Sequence, residues 1–429
     1  MKKKKSNITD RLSRRAFIKT SAAFSLASLA APSSRIYAAG SDKLRVGMIG
    51  CGGRGTGAAK DCVESSPNVE IVAMGDLFQD RLDKSLARLS REVDDMVSVT
   101  EDTSFTGFDA YKKVLACDID MVILATPPHF RPEHLAAAVE AGKHVFMEKP
   151  VAVDPVGVRW VIESSEAAAK KGLAVVAGTQ RRHQEHYLEV MKRIHNGDMG
   201  ELVSGQCYWN QDGLWVKKKR PEWSDMEWQC RNWLYFTWLS GDHIVEQHVH
   251  NIDVINWAMG SHPVECLGMG GREVRTGPEY GNIFDHFAVE FKYPNGARVL
   301  SMCRQMDGCA GQVSERVAGT NGTCYTDGSN GYIEGPNAYK YEGKSPSPYV
   351  QEHADLIAGI RQGRPLNEGR RVAESVMTAI MGRMSAYTGR ALQWDWVMNA
   401  SKLDLRPPKY EFGDLPVRPV AIPGKTELV

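Results

Sequence analysis

Six residues, Gly50-Cys51-Gly52-Gly53-Arg54-Gly55, constrain this chain more than any other stretch. They follow an apolar run over residues 44–49 that reads as a buried strand, and they open a helix through about residue 64. A G-x-G-x-x-G string says little alone. Between strand and helix, its glycines allow a tight turn, let backbone approach a pyrophosphate and set a helix N-terminus against negative charge. A second strand over 69–75 ends at Asp76, 21 residues after Gly55, where a carboxylate accepts hydrogen bonds from an adenosine ribose. That carboxylate repels a 2′-phosphate, so the expected cofactor is NAD rather than NADP, unless Arg81 swings in to compensate.

The alternation continues with a helix over 79–92, an apolar strand over 121–125, a helix over 132–141 and a strand over 144–147. Strands alternating with helices of this length imply right-handed crossovers and a parallel sheet. Thr126-Pro127-Pro128-His129 follows a strand at its carboxyl end, where open α/β sheets bind ligands, which makes Thr126, Pro127 and His129 cofactor candidates. A plain loop role for His129 is the alternative.

The glycine string, Thr126-Pro127, Gly142-Lys143-His144-Val145 and Glu148-Lys149-Pro150, in this order, resemble the Gfo/Idh/MocA family of sugar and polyol dehydrogenases. The resemblance runs on to about Trp394. It implies an N-terminal Rossmann domain followed by an α+β domain with a large, mainly antiparallel sheet. It also implies that Lys149 lies beside the nicotinamide and contacts the reacting hydroxyl, with Glu148 in the cofactor site. Arg131 departs from the pattern, because many members carry His there.

A linker helix around 154–171 and a strand over 173–178 lead into Thr179-Gln180-Arg181-Arg182-His183. Arg181 and Arg182 are candidates for an anionic group at the cleft; a solvated helix start is the bland alternative. β-type runs over 202–209, 284–292 and 298–304, the last two joined by the turn Tyr293-Pro294-Asn295-Gly296, suggest the antiparallel sheet. The densest polar cluster spans residues 241–253. If it is one helix, Glu246 and His250 share a face, with His243 a turn back. A carboxylate beside an imidazole raises its basicity and orients it as a general base. The family has D-x-x-x-H here, which Glu246 and His250 match with Glu in place of Asp. Zinc held by His243, Glu246 and His250 is a rival reading, though H-x-x-E-Q-H is not H-E-x-x-H. A hydrogen-bonded core is another. Six of ten tryptophans fall between Trp209 and Trp238. Trp233 is the candidate to stack on a sugar, against a core or interface role for the group. Helices over 351–362 and 371–387 precede a Pro-rich tail.

A chain of 429 residues that is 42% hydrophobic and 24% charged is long enough for two or three globular domains, and its composition excludes disordered and collagen-like classes. Its nine cysteines are scattered without a C-x-x-C pair and read as buried thiols, with a Cys303–Cys309 disulfide left open for an oxidising compartment. Residues 1–39 hold nine Lys/Arg against one acidic residue, leaving 44 basic and 51 acidic beyond, which is no nucleic-acid surface. Ser13-Arg14-Arg15-Ala16-Phe17-Ile18-Lys19, a short Ala/Ser-rich apolar run and small residues near 38–40 resemble a twin-arginine export signal. The run is too short to span a bilayer. The expected partition is a signal over 1–39, a NAD-binding domain over 42–170, a substrate and oligomerisation domain over 171–404 and an extended tail over 405–429.

That route exports folded proteins, so the expectation is a periplasmic homo-oligomer that meets the twin-arginine export machinery, has no stable membrane insertion and carries its NAD bound. The expected reaction oxidises or reduces a secondary hydroxyl, such as the 3-hydroxyl, of a sugar or glycoside. His250 oriented by Glu246 takes the proton and Lys149 steadies the alkoxide. The alternative is a redox-neutral NAD-dependent glycoside hydrolase or lyase working through a transient keto-sugar. A noncatalytic sugar-binding protein and a metal-dependent enzyme are further readings, the first disfavoured by an intact Lys149 and His250.

Overall fold

The computed structural model describes residues 43–429, so the signal reading of residues 1–39 lies outside the described residues. From Leu44 onward, strands and helices alternate: β1 (Leu44–Ile49), α1 (Gly53–Ser65), β2 (Val69–Asp76), α2 (Gln79–Glu92), β3 (Ser104–Thr106), α3 (Ala110–Ala116), β4 (Met121–Leu124), α4 (Arg131–Glu140), β5 (His144–Met147), α5 (Pro155–Lys170) and β6 (Val175–Ala177). All six strands form one parallel sheet in the order β3-β2-β1-β4-β5-β6. β1 and β4 are buried nearly throughout, as strands covered by helices on both faces require.

The glycine string turns the chain from β1 into α1. Gly50 adopts φ +100°, and a side chain there would meet the Ala125 backbone at 2.5 Å. Gly55 lets α1 pack against the turn, since a Cβ would fall 1.9 Å from the Gly50 carbonyl oxygen. At the far end of the domain, α5 starts at an Asp154 cap whose carboxylate accepts the Gly157 amide at 2.7 Å.

The second half contains α6 (Glu185–His195), β7 (Leu202–Gln211), α7 (Asp225–Arg231), α8 (Thr237–Ser240), α9 (His243–Glu246), α10 (Val249–Met259), β8 (Glu265–Gly271), β9 (His286–Lys292), β10 (Arg298–Gln305), β11 (Gln312–Gly319), β12 (Gly322–Asp327), β13 (Gly331–Glu334) and β14 (Tyr339–Lys340). α11 (Pro348–Arg361), α12 (Gly369–Thr388), β15 (Leu392–Gln393) and α13 (Trp394–Asn399) follow. The strands form a sheet in the order β14-β13-β12-β11-β7-β10-β9-β8-β15, antiparallel except where β10 runs parallel to β7. The expected Tyr293–Gly296 turn joins β9 to β10. One face of the sheet packs on α10 and α12. On several strands, alternate residues of the other face, including Val203, Leu267, Met269, Leu300 and Met302, are exposed.

Two boundaries differ from expectation. β6, assigned by sequence to the second domain, pairs with β5, so the first sheet extends past residue 170. α11 then returns to the first domain, sending Leu356, Ile357 and Ile360 into the core formed by Leu44, Val46 and Ile71. The tail beyond residue 404 has neither helix nor strand yet is tied down: the Leu405 amide donates to Asp154 at 2.8 Å, and Gln229 donates to the Leu415 carbonyl at 2.6 Å. All nine cysteines are free, with Cys303 buried and Cys309 exposed. Among the described residues no helix is long and apolar enough to cross a membrane.

Gly55→Ala is expected to lower the stability of the ligand-free protein by about 1–3 kcal/mol in a denaturant melt, because the intruding methyl meets backbone. Gly53→Ala, whose Cβ meets nothing within 4 Å, serves as the control and should stay within about 0.5 kcal/mol of the parent.

Candidate active site

A cavity of about 650 Å³ runs along the carboxyl edge of the first sheet. Gly50, Gly52, Gly53, Arg54, Gly55, Asp76, Thr126 and Pro127 line it, and Trp215, Lys217, Cys230 and Trp233 of the second half also face it. α1 begins at a Gly52 cap with no side-chain hydrogen bond, so its first amides are not capped by a side chain. A Cβ on Gly52 would meet only the Arg81 guanidinium, at 3.5 Å, and one on Gly53 nothing, which leaves a cradle open to a pyrophosphate. The donor set and the space fit a dinucleotide.

At the adenosine end, Asp76 is buried and its carboxylate accepts the Cys51 amide at 2.6 Å and the Phe78 amide at 2.9 Å. Burial raises its pKa, while the two amides and Arg81 oppose the rise. Each oxygen keeps a lone pair for a ribose hydroxyl. Arg81, Lys84 and Arg88 line the same cavity.

The reactive groups meet where β5 ends. The Lys149 ammonium donates to the Glu246 carboxylate at 3.1 Å and also to the Glu246 backbone carbonyl. That carbonyl is free because the expected single helix over this cluster is broken. α9 stops at Glu246, and the His250 amide, which would bond it in a continuous helix, turns to the Gln247 carbonyl at 3.4 Å. The break corrects the expected Glu246–His250 pair: Glu246 is held by Lys149, and no side-chain hydrogen bond joins it to His250. The buried imidazole stacks on Trp209, with centroids 5.7 Å apart. Burial, then Lys149, Arg181 and Arg54, hold the His250 pKa well below its ordinary value, so the ring is neutral.

Several candidates lie elsewhere or are already engaged. His243 packs edge-on against Phe287 with its Nε2 buried and unpartnered, and its charged neighbours are Arg275, His248 and His286. It therefore faces the second sheet's core, and the three ligands of the rival zinc reading point to different surroundings. Among the described residues no group of three or more His, Cys, Asp or Glu could hold a metal ion. His129 is sealed beneath the tail, its Nε2 2.8 Å from the Tyr410 hydroxyl, which removes it from the cofactor cavity. Burial takes its pKa down to about 3. Trp233 faces the dinucleotide-sized cavity, beside Trp215 and Lys217.

The basic run at 181–183 is consumed by carboxylates. Arg181 pairs with Glu315, Arg182 makes bonds of 2.7 and 2.9 Å to Asp253, and His183 meets Asp355 at 2.6 Å. Arg182 also lies over the Trp257 ring and is a buried structural cation, not a substrate ligand. Arg181 is likewise committed, although it lies close enough to bear on His250. Glu148 accepts Arg54 Nε at 2.5 Å, clamping α1 to the end of β5.

Two site residues escape sequence reasoning. Trp209, the floor under His250, is one tryptophan among ten, and only strand register distinguishes it. Glu352 on α11 is fully buried near Arg54, at 4.0 Å, with both oxygens unpartnered. Burial and the neighbouring Glu148 raise its pKa well above the usual range. Nothing in its amphipathic helix marks it.

Two family models match end to end: residues 44–192 match the oxidoreductase family with an NAD-binding Rossmann fold, and residues 187–325 match the GFO/IDH/MocA C-terminal domain. The chain belongs to the Gfo/Idh/MocA family. It is 23% identical over 292 residues, 66% of this chain and 73% of the relative, to a scyllo-inositol 2-dehydrogenase (NAD(+)) of Bacillus subtilis. It is 31% identical over 180 residues, 42% of this chain and 38% of the relative, to a glycosyl hydrolase family 109 protein of Shewanella pealeana. The crystal structure of an aldose-aldose oxidoreductase from Caulobacter crescentus complexed with glycerol superposes with a TM-score of 0.63 at 19% identity, covering 82% of this chain and 99% of that one. The chain spans 37 to 65% of the length of the first curated relatives that it matches.

Arg182→Met is expected to cost about 3 kcal/mol of unfolding free energy in a denaturant melt, because it leaves the buried Asp253 with only Ser375 at 2.7 Å and Arg371 at 3.8 Å. A mere substrate ligand would leave the melt unchanged.

Proposed function

We propose that this family member is an NAD-dependent oxidoreductase that oxidises or reduces a secondary hydroxyl of a sugar or glycoside. The observation that carries the reading is the meeting of Lys149 with Glu246 just past β5, close to a neutral His250, with the neighbouring Glu148 held by Arg54 from the lining of a dinucleotide-sized cavity. The NAD(+)-dependent inositol dehydrogenase among its relatives supports it.

A nicotinamide held in the cavity supplies the hydride acceptor or donor. Proton handling falls to the chain. Two Lys149 donors go to Glu246, which leaves a third to meet the substrate oxygen as negative charge develops. His250 takes the hydroxyl proton, and Trp209 holds its ring plane. The loop from Gly50 to Gly55 holds the pyrophosphate, and Asp76 takes the ribose hydroxyls, which favours NAD over NADP.

The export reading extends the proposal to a periplasmic enzyme that keeps its NAD and regenerates it in place, supported by Ser13-Arg14-Arg15-Ala16-Phe17-Ile18-Lys19. The exposed apolar face at Val203, Leu267 and Met269 supports a homo-oligomer. A second reading, redox-neutral cleavage through a transient keto-sugar, is favoured by the relative named a glycosyl hydrolase family 109 protein. Free aglycone without net nicotinamide reduction would select it.

His250→Ala is expected to cut turnover by about 10²–10⁴-fold while NAD affinity, read by fluorescence titration, holds. Undiminished turnover contradicts the assignment. Because the His250 pKa lies well below 6.5, its base form persists as the pH falls through that value. The kcat/KM profile should therefore show no acid limb at pH 6–7.

A further inference from the structure

Four cations lie around Lys149, itself included, and three have carboxylate partners. Arg54 holds Glu148 at 2.5 Å, Lys149 holds Glu246 at 3.1 Å, and Arg181 holds Glu315. The fourth is Arg131. It is 3% exposed, its side chain makes no ion pair or hydrogen bond among the described residues, and its Nε and Nη1 are buried without partners. A guanidinium does not shed its proton, so a charge buried this way is costly unless something neutralises it.

Its position indicates where the missing charge belongs. Arg131 opens α4, one turn of chain after β4, and β4 pairs with β5, whose next residues are Glu148 and Lys149. The carboxylates that act on it are Glu148 and Glu246, both already engaged by Arg54 and Lys149. Glu352, the other buried carboxyl nearby, faces Arg54 at 4.0 Å. The glycine loop provides for a dinucleotide's phosphates, and Arg131 does not line that cavity.

We propose that the substrate is an acidic sugar, a uronate or aldonate, and that Arg131 binds its carboxylate. The planar guanidinium suits a planar carboxylate better than any neutral hydroxyl, and each charge-assisted hydrogen bond contributes more than a neutral one. The proposal deepens the oxidoreductase reading and rests on it: the carboxylate anchors the sugar so that a ring hydroxyl reaches Lys149 and His250.

The test is calorimetric titration of the NAD-loaded full chain with D-glucuronate and D-galacturonate against D-glucose and D-galactose. The acids should bind at least about tenfold more tightly than their neutral counterparts. Arg131→Met should bring that ratio to about one, and Arg131→Lys should retain part of it. A thermal melt and an NAD titration of each variant accompany the measurement. No preference for any acid, or a preference that survives in Arg131→Met, would overturn the proposal. So would a loss of NAD affinity in Arg131→Met as large as the loss of acid affinity, since the anion would then be the cofactor's. Acid binding through Arg131 with no hydride transfer to NAD from any sugar would instead count against the oxidoreductase reading.

Discussion

The bond from Lys149 to Glu246 joins the two halves of the site. One partner closely follows β5 of the parallel sheet; the other ends α9 in the second half. Both side chains are about nine-tenths buried, so the pair forms in a poorly screened environment where geometry counts heavily. The ammonium also takes the Glu246 carbonyl, which only a helix break can release. Beyond the same break His250 stacks on the Trp209 ring, near enough for the Lys149 charge to bear on it.

Ion pairs elsewhere fix how the parts meet. Arg54 with Glu148 ties the glycine loop's helix to β5, Arg182 with Asp253 ties the end of the first sheet to α10, and Arg181 with Glu315 ties it to β11. Each crosses from the first sheet's carboxyl edge to a neighbouring element, and each removes a cation from service as a ligand. Paired charges of this kind favour a unique arrangement more than they add net stability. Against them Arg131 stands out by lacking a partner.

Much of the fold was legible in the sequence because its signals are local. The glycine string, the apolar runs and the Asp154-Pro155 helix start report on residues within a turn of themselves, and they mark the parallel sheet correctly. The Tyr293–Gly296 turn marks a hairpin for the same reason. β6 was misassigned because a three-residue apolar strand carries no sign of its partner. Lys149, Glu246 and Asp76 were legible as candidate site residues, whereas their pairings were not. A four-residue spacing places Glu246 and His250 together only while the helix continues, and a lysine 97 residues away decides that it does not. Arg181, Arg182 and His183 read as a free basic patch because their carboxylates come from 71 to 172 residues downstream.

The proposed oxidoreductase needs a nicotinamide dinucleotide in the cavity at the carboxyl edge of the first sheet. The most direct measurement is to purify the full chain without added nucleotide, denature it and identify what is released by mass spectrometry. NAD(H) at close to one per chain is the expected result. A protein that releases no dinucleotide, and that then fails to bind added NAD in solution, would contradict it.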